Sequence, residues 1–220
     1  ARGGSKRIPR KNIRKFKGQP MICYAIGAAI RSDLFKRVIV STDDKEIALV
    51  AEGMGAEVPF IRPRELADDY TGTAQVINHA ISMIDPQKNL FDYFCCIYPC
   101  VPLLEACDLK ASYEALSALE GDACMAIARF QSPPQRSMVI DAEQKINFAN
   151  PRNYKIRTQD LEDAFFDPGQ FYWGTAAKWA SGSIAIGAVP YIMPKWKAID
   201  IDTEEDWRMA ELICADLPTR

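Results

Sequence analysis

Apolar residues along this chain recur in two rhythms, one helical and one extended, and the two alternate. Pro20 to Ile30 carries apolar positions at helical spacing, and Arg37 to Ser41 follows as a short β-branched run, Val38-Ile39-Val40, of buried-strand type. Thr42, Asp43 and Asp44 supply a turn and an N-cap for a helix over Lys45 to Met54, stopped by Gly53 and Gly55. A strand is expected near Ala56 to Ile61, a loop over Arg62 to Gly72, and a helix from Thr73 to Ile84 that ends ahead of Pro86. Phe91 to Tyr98 reads as a buried strand, Cys107 to Leu119 as a helix and Ala123 to Arg129 as a further strand. This alternation predicts an α/β fold: a mainly parallel, Rossmann-like sheet with helices on both faces.

The rhythm breaks at Gln131. From there to Trp179, short polar and aromatic pieces are interrupted by Pro133, Pro134, Pro151 and Pro168, which predicts an inserted, partly extended arm at about 131–179 within a single domain spanning 1–220. Ser183 to Ile192 returns to a strand pattern, Asp200 to Thr203 is a turn, and Glu204 to Leu217 is a closing amphipathic helix. No run of eighteen apolar residues exists, and the basic N-terminus lacks the apolar stretch of a secretory signal. The seven cysteines show neither metal-ligand spacing nor a CxxC pair, so they are expected to be reduced core residues of a cytoplasmic protein.

Charge sharpens the picture. Residues 1 to 17 hold eight cations (Arg2, Lys6, Arg7, Arg10, Lys11, Arg14, Lys15, Lys17) and no acid, leaving 19 cations against 29 acids elsewhere, a balance of −10. One basic loop on an acidic body suits a compact polyanion such as a triphosphate, and the acidic remainder argues against nucleic acid as a partner. In Ala1-Arg-Gly-Gly-Ser-Lys-Arg-Ile-Pro-Arg-Lys-Asn12, glycines let backbone N–H groups approach phosphate oxygens while cations line the loop. The bland alternative is a solvated basic tail. A glycine-rich phosphate loop normally hangs from a buried strand, so a strand ahead of Ala1 is expected. Near the other end, Asp200-Ile-Asp202 places two carboxylates on one face of an extended segment, hard oxygen donors that suit Mg²⁺. The competing reading makes Asp202 the N-cap of the last helix. His79, the only histidine, lies inside a predicted helix and reads as structural or surface, so no histidine general base is expected. The aromatic cluster from Phe165 to Trp179 reads as core or dimer interface.

The N-terminal segment resembles the nucleotide loop of the CMP-sialic acid synthetases and their pseudaminic acid and Kdo-type relatives. The match assigns Arg2, Lys6, Lys11 and Asn12 to the positions that bind CTP, with Gly3, Gly4 and Ser5 between them. Arg62-Pro-Arg-Glu-Leu-Ala-Asp-Asp69 resembles the family's RPxELAxD loop, which makes Arg62 and Thr73 the candidates for the cytosine side. Tyr98-Pro-Cys-Val-Pro102 resembles its QPTSPL turn, with Tyr98 where sialic acid members carry a sugar-contacting glutamine. Arg157-Thr-Gln-Asp-Leu161 and Phe165-Phe-Asp-Pro-Gly-Gln-Phe-Tyr-Trp173 resemble segments of the pseudaminic acid branch, and Asp200-Ile-Asp-Thr-Glu-Glu-Asp206 resembles the family's DIDTxxD.

The resemblance implies nucleotidyl transfer: a nine-carbon acidic keto-sugar attacks CTP and pyrophosphate leaves. It implies catalytic roles for Arg2, Lys11, Asp200 and Asp202, with Mg²⁺ on the two aspartates. Sugar contacts would come from Tyr98, Arg136, Arg157, Gln159 and Gln170, Arg157 being placed on the carboxylate because a guanidinium fork matches it. A homodimer whose arm reaches the partner's site is also implied. Alternatives are N-acetylneuraminic, legionaminic or Kdo acid as substrate, or a non-catalytic nucleotide-binding protein on the same fold.

Overall fold

The computed structural model describes residues 1–215. A small hairpin, β1 (Lys15–Phe16) with β2 (Gln19–Pro20), leads into α1 (Ile22–Ser32); α2 (Lys45–Gly53) and α3 (Thr73–Ile84) follow. Then come β3 (Phe94–Ile97), α4 (Ala106–Ala118) and β4 (Ala123–Arg129). A second hairpin, β5 (Met138–Ile140) with β6 (Ile146–Phe148), precedes β7 (Phe165–Phe166), β8 (Phe171–Gly174), α5 (Ala176–Ala180), β9 (Val189–Ile192) and α6 (Glu204–Ala215). The end of the helix expected to reach Leu217 lies outside the described residues.

Local chemistry explains the helix starts. The Asp44 carboxylate accepts from the N–H groups of Glu46 and Ile47, capping α2 as expected. At α6 the cap is Thr203: its hydroxyl accepts from Asp206 N at 3.2 Å while the Asp206 carboxylate accepts from Thr203 N at 2.7 Å, a reciprocal box. Asp202 is therefore not the cap, and its carboxylate is left for other partners.

The α/β class holds, and the sheet is mixed. β8 is antiparallel to both β3 and β4, whereas β9 is parallel to β4. Side chains alternate between two cores with the period of a strand. Cys124, Ala126, Phe171 and Trp173 join Ala25 and Ala28 of α1 and Leu109 and Leu116 of α4 on one side. Met125, Cys96 and Tyr172 join Ile81 of α3 and Trp179 of α5 on the other. Helices thus cover both faces. Residues 38–42 and 57–61 do not form full strands; they make isolated parallel bridges, Ile39 to Glu57 and Thr42 to Ile61.

The expected arm at 131–179 is too long at its C-terminal end. Phe171–Gly174 is a central strand, buried at all four positions, because each large apolar side chain placed there gains about 1.5–3 kcal/mol from burial. The tryptophans also find partners: Trp173 Nε1 donates to Ser112 Oγ at 3.0 Å and Trp179 Nε1 to the Phe94 carbonyl at 3.1 Å. The aromatic cluster read as core or interface is, at Phe171, Tyr172, Trp173 and Trp179, core.

One irregularity shapes the site. β7 and β8 both run antiparallel to β4, but Ala128 faces Phe166 while Met125 faces Tyr172. Three steps along β4 therefore correspond to six along the other strand, so Asp167-Pro168-Gly169-Gln170 loops out of the ladder. Gly169, at φ +62°, sits where a Cβ would lie 3.7 Å from the Asp200 carboxyl carbon and 3.5 Å from the Tyr98 ring.

Candidate active site

The basic loop folds back on itself before it can serve any ligand. Asn12 is buried, its amide donating to the Arg2 carbonyl at 2.8 Å and its oxygen accepting from Cys100 Sγ at 3.3 Å. Ile8 and Phe16 bury against Met21, Ile201 and Trp207, which pins the loop beside the segment that carries the two aspartates. Gly3 is required by contact: a Cβ there would lie 2.6 Å from an Asp44 oxygen. Its N–H donates to Asp43 at 3.0 Å.

That docking brings the two ends of the chain together. Lys11 Nζ donates to the Ile201 carbonyl at 2.5 Å and pairs with Asp202 at 3.3 Å, and Arg7 reaches the other Asp202 oxygen at 2.9 Å. Among the described residues no side chain hydrogen-bonds the Asp200 carboxylate. Asp200 is reachable by solvent yet crowded by protein atoms. Desolvation first, then the charge of Asp202, raises its pKa above the ordinary aspartate value against the pull of Lys11.

A cleft of about 1090 Å³ opens beside this point. It collects Arg2, Ser5, Lys6, Lys11, Asn12, Arg62, Thr73, Tyr98 and Asp202 from segments far apart in sequence. On its far wall Thr73 and Tyr98 share a hydroxyl–hydroxyl hydrogen bond of 2.6 Å, and burial holds the Tyr98 phenol above its usual pKa. Arg62 lines the cleft, but four of its five N–H donors are engaged by protein: Nε by Ser41 Oγ, one Nη1 hydrogen by the Leu66 carbonyl, and Nη2 by the carbonyls of Ala1 and Ser41. Arg62 and Asn12 therefore hold the walls together first, leaving Arg62 one hydrogen for a ligand.

Gln170 does not face the cleft as a sugar ligand was expected to. It is 1% exposed, and its amide N–H₂ donates to the carbonyls of Pro168 and Ile199 at 3.0 and 3.1 Å, tethering the backbone next to Asp200. Arg136, Arg157 and Gln159 lie on the excursion and are not among the residues lining the cleft. Arg136 donates to Thr158 Oγ1 at 3.2 Å, and the Gln159 side-chain oxygen accepts from Arg157. Sequence reasoning passed over Arg7, Asp69 and Asp167. Asp167 accepts the Tyr172 hydroxyl at 2.8 and 2.9 Å inside the looped-out segment; the Asp-Pro-Gly turn signal was the clue to it. For Asp69 the clue was its place at the end of the RPxELAxD-like loop, and for Arg7 only an excess of charge.

Two hard carboxylates on one extended segment, one of them without a donor among the described residues, match the ligand chemistry of a divalent cation such as Mg²⁺. By contrast Glu105, Cys107 and Asp108 offer ligand atoms within 4.8 Å of one another, but Lys197 Nζ already binds both carboxylates there. A cationic glycine loop thus meets an acidic pair beside a cleft in an α/β fold. The family profile described as Cytidylyltransferase matches residues 1–160, and the chain belongs to that family.

It is 37% identical over 215 residues to a pseudaminic acid cytidylyltransferase of Campylobacter jejuni, covering 97% of this chain and 93% of that protein. It is 30% identical over 223 residues to a CMP-N,N'-diacetyllegionaminic acid synthase of Legionella pneumophila, covering 96% of this chain and 92% of that one. In fold it is similar to a CMP:2-keto-3-deoxy-manno-octonic acid synthetase solved with CTP, at a TM-score of 0.69 and 13% identity over 98% of this chain and 95% of the other.

Proposed function

We propose that this cytidylyltransferase transfers CMP from CTP to the anomeric C2 hydroxyl of pseudaminic acid, a nine-carbon acidic keto-sugar, and releases pyrophosphate. The observation that carries the reading is the meeting of Lys11 and Arg7 with Asp202 beside a cleft that Arg2, Lys6 and Tyr98 also line. In this reading Arg2, Lys6 and Lys11 neutralise the triphosphate as negative charge grows on the leaving pyrophosphate. The bond from the sugar oxygen to the α-phosphorus forms as the bridging P–O bond breaks, and no covalent enzyme intermediate is needed. Asp200 and Asp202 would hold Mg²⁺, which when bound supplies positive charge to phosphate oxygens and lowers the pKa of a coordinated hydroxyl. The Ser5 hydroxyl and the Gly4 N–H add donors along the phosphates, while Gly3, whose N–H is held by Asp43, lets the loop pass close to Asp44. Thr73 and the remaining Arg62 hydrogen are assigned to the base, and Tyr98, whose hydroxyl bonds that of Thr73, to the adjoining wall toward the sugar.

The excursion supports a further part of the reading. Met138, Ile140 and Ile146 are 59%, 68% and 69% exposed on the β5–β6 hairpin, an apolar surface suited to a second copy of the chain. A homodimer would bring Arg136, Arg157 and Gln159 toward a site from which they stand apart in the single chain. No described helix is long and apolar enough to cross a membrane, and we place the reaction in the cytoplasm, where CTP is made.

The test is release of pyrophosphate from CTP with a panel of acids. Pseudaminic acid is expected to give the highest kcat/KM. A preference for N-acetylneuraminic, legionaminic or Kdo acid would move the assignment to that sugar, and CTP binding without release for any acid would leave only a binding protein. Light scattering at micromolar concentration checks the dimer; a monomeric mass rejects it.

A further inference from the structure

Two of the cations assigned to the triphosphate already hold an anion. The Arg2 guanidinium pairs with Asp69 at 2.6 Å and donates to the Asp68 carbonyl at 2.8 Å, while Lys6 binds the other Asp69 oxygen. Asp69 lies on the loop over Arg62 to Gly72 and lines the same cleft as its partners. The loop is built to hold it there. The Asp68 carboxylate accepts from Tyr70 N at 3.0 Å and from Thr71 N and Thr71 Oγ1 at 2.7 Å each, and Thr71 Oγ1 also reaches the Glu65 carbonyl at 3.1 Å. This fixes the turn on which Asp69 points at the phosphate loop.

We propose that Asp69 is a displaceable latch that sets nucleotide affinity: its carboxylate occupies Arg2 and Lys6 until a triphosphate takes them, and reclaims them as pyrophosphate departs. The inference rests on the proposed assignment of Arg2 and Lys6 to the phosphates. Solvent exposure of both pairs explains why the latch yields. An exposed ion pair is worth little in water, and a polyphosphate offers the same cations several oxygens and greater charge. The low pKa of the Asp69 carboxyl, held down first by Lys6 and then by Arg2, keeps the latch charged at neutral pH. Affinity is thereby traded for release. Every nucleotide that binds must first break the Asp69 pairs, and every pyrophosphate that leaves is replaced by an internal anion.

Calorimetric titration of the full chain with CTP, and separately with inorganic pyrophosphate, tests this. Asp69→Asn should tighten both by about 3- to 10-fold, the sum of two weak exposed pairs, and should lower the concentration at which pyrophosphate inhibits turnover. Glu65→Gln, which removes an equal charge from the same loop but pairs with neither cation, should leave both affinities within about twofold of wild type. Unchanged or weaker binding by Asp69→Asn overturns the latch, as does equal tightening in Glu65→Gln, since that would be a field effect of the loop. If the wild-type chain binds CTP and only the variant result fails, the proposed function stands. If the wild-type chain binds neither ligand, the latch and the assignment beneath it fall together. A circular-dichroism melt separates misfolding from altered affinity.

Discussion

Lys197 meets two carboxylates at the start of α4 and Lys11 meets Asp202, but the two pairings are built on different terms. Lys197 is 5% exposed and Asp108 3% exposed; the ammonium bonds both Asp108 oxygens, at 3.1 and 2.8 Å, and Glu105 at 2.5 Å, while the Tyr191 hydroxyl donates to Asp108 at 2.9 Å. Desolvation pulls the Lys197 pKa down, yet Asp108 and Glu105 outweigh it and the pKa is raised. Lys11 has one backbone carbonyl and one long contact to Asp202, which is itself shared with Arg7. The Lys197–Asp108 pair at the centre of the first set is dry, with Glu105 on its exposed side, so exchanging partners would strand a buried charge. The second is wetter and incompletely matched, so its members can change partners when a polyanion or a cation arrives. Similar residue types thus make a rivet in one place and, in the proposed reading, a site in the other, and burial decides which.

Substitution should separate the two. Lys197→Met strands Asp108, and breaking a buried pair from one side costs about 3–5 kcal/mol. At 2–4 °C per kcal/mol for a chain of this size, Tm should fall by roughly 6–20 °C. A melt within about 2 °C of wild type would place Lys197 in the same category as Lys11. Asp202→Asn should do the reverse. Loss of several kcal/mol of charge stabilisation in the transition state predicts a fall in kcat of at least about 100-fold with little change in Tm. Turnover near wild type would remove Asp202 from the reaction. Lys11→Ala should weaken CTP binding by about 10- to 100-fold, the value of one charge-assisted hydrogen bond to phosphate; unchanged affinity by calorimetry would reject its role.

The contrast also bears on what could be read in advance. Elements set by nearby residues were legible: the helix from Thr73 to Ile84, the Asp44 cap and the buried run ending at Arg129 follow from spacing and turn chemistry. β8 was not, because its partners Phe94–Ile97 and Ala123–Met125 lie about fifty to eighty residues back, and the Pro168 and Gly169 break ahead of it looks like more of the excursion. The site divides the same way. Resemblance to a family pointed to the cationic loop and the aspartate pair, which the fold brings into contact through Lys11, Arg7 and Asp202. It could not show that Asn12, Arg62 and Gln170 direct their amides or guanidinium at protein carbonyls, since hydrogen-bond partners are chosen by tertiary packing. The Lys197 cluster went unread for the same reason. A lysine in a polar stretch gives no sign that it will be buried.

The last and smallest effect concerns Asp200, where the proposed site should oppose stability. Its pKa is raised in the folded chain, so in this region the folded state binds a proton more readily than the unfolded state. The resulting stability is present below the unfolded aspartate pKa and is lost as pH rises through the raised folded value. At neutral pH the ionised carboxylate is therefore a cost, the reverse of Asp44, whose pKa Arg10 lowers and whose contribution is lost as pH falls. Asp200→Asn should accordingly melt higher than wild type at pH 7 in the presence of a chelator, with the gap closing as the pH is lowered past the folded value. Adding Mg²⁺ should stabilise the wild-type chain and not the variant, shrinking or inverting the gap. A variant that melts lower than wild type at pH 7 without metal would mean that Asp200, like Asp108, is satisfied by the protein, and the distinction between rivet and site would not extend to it.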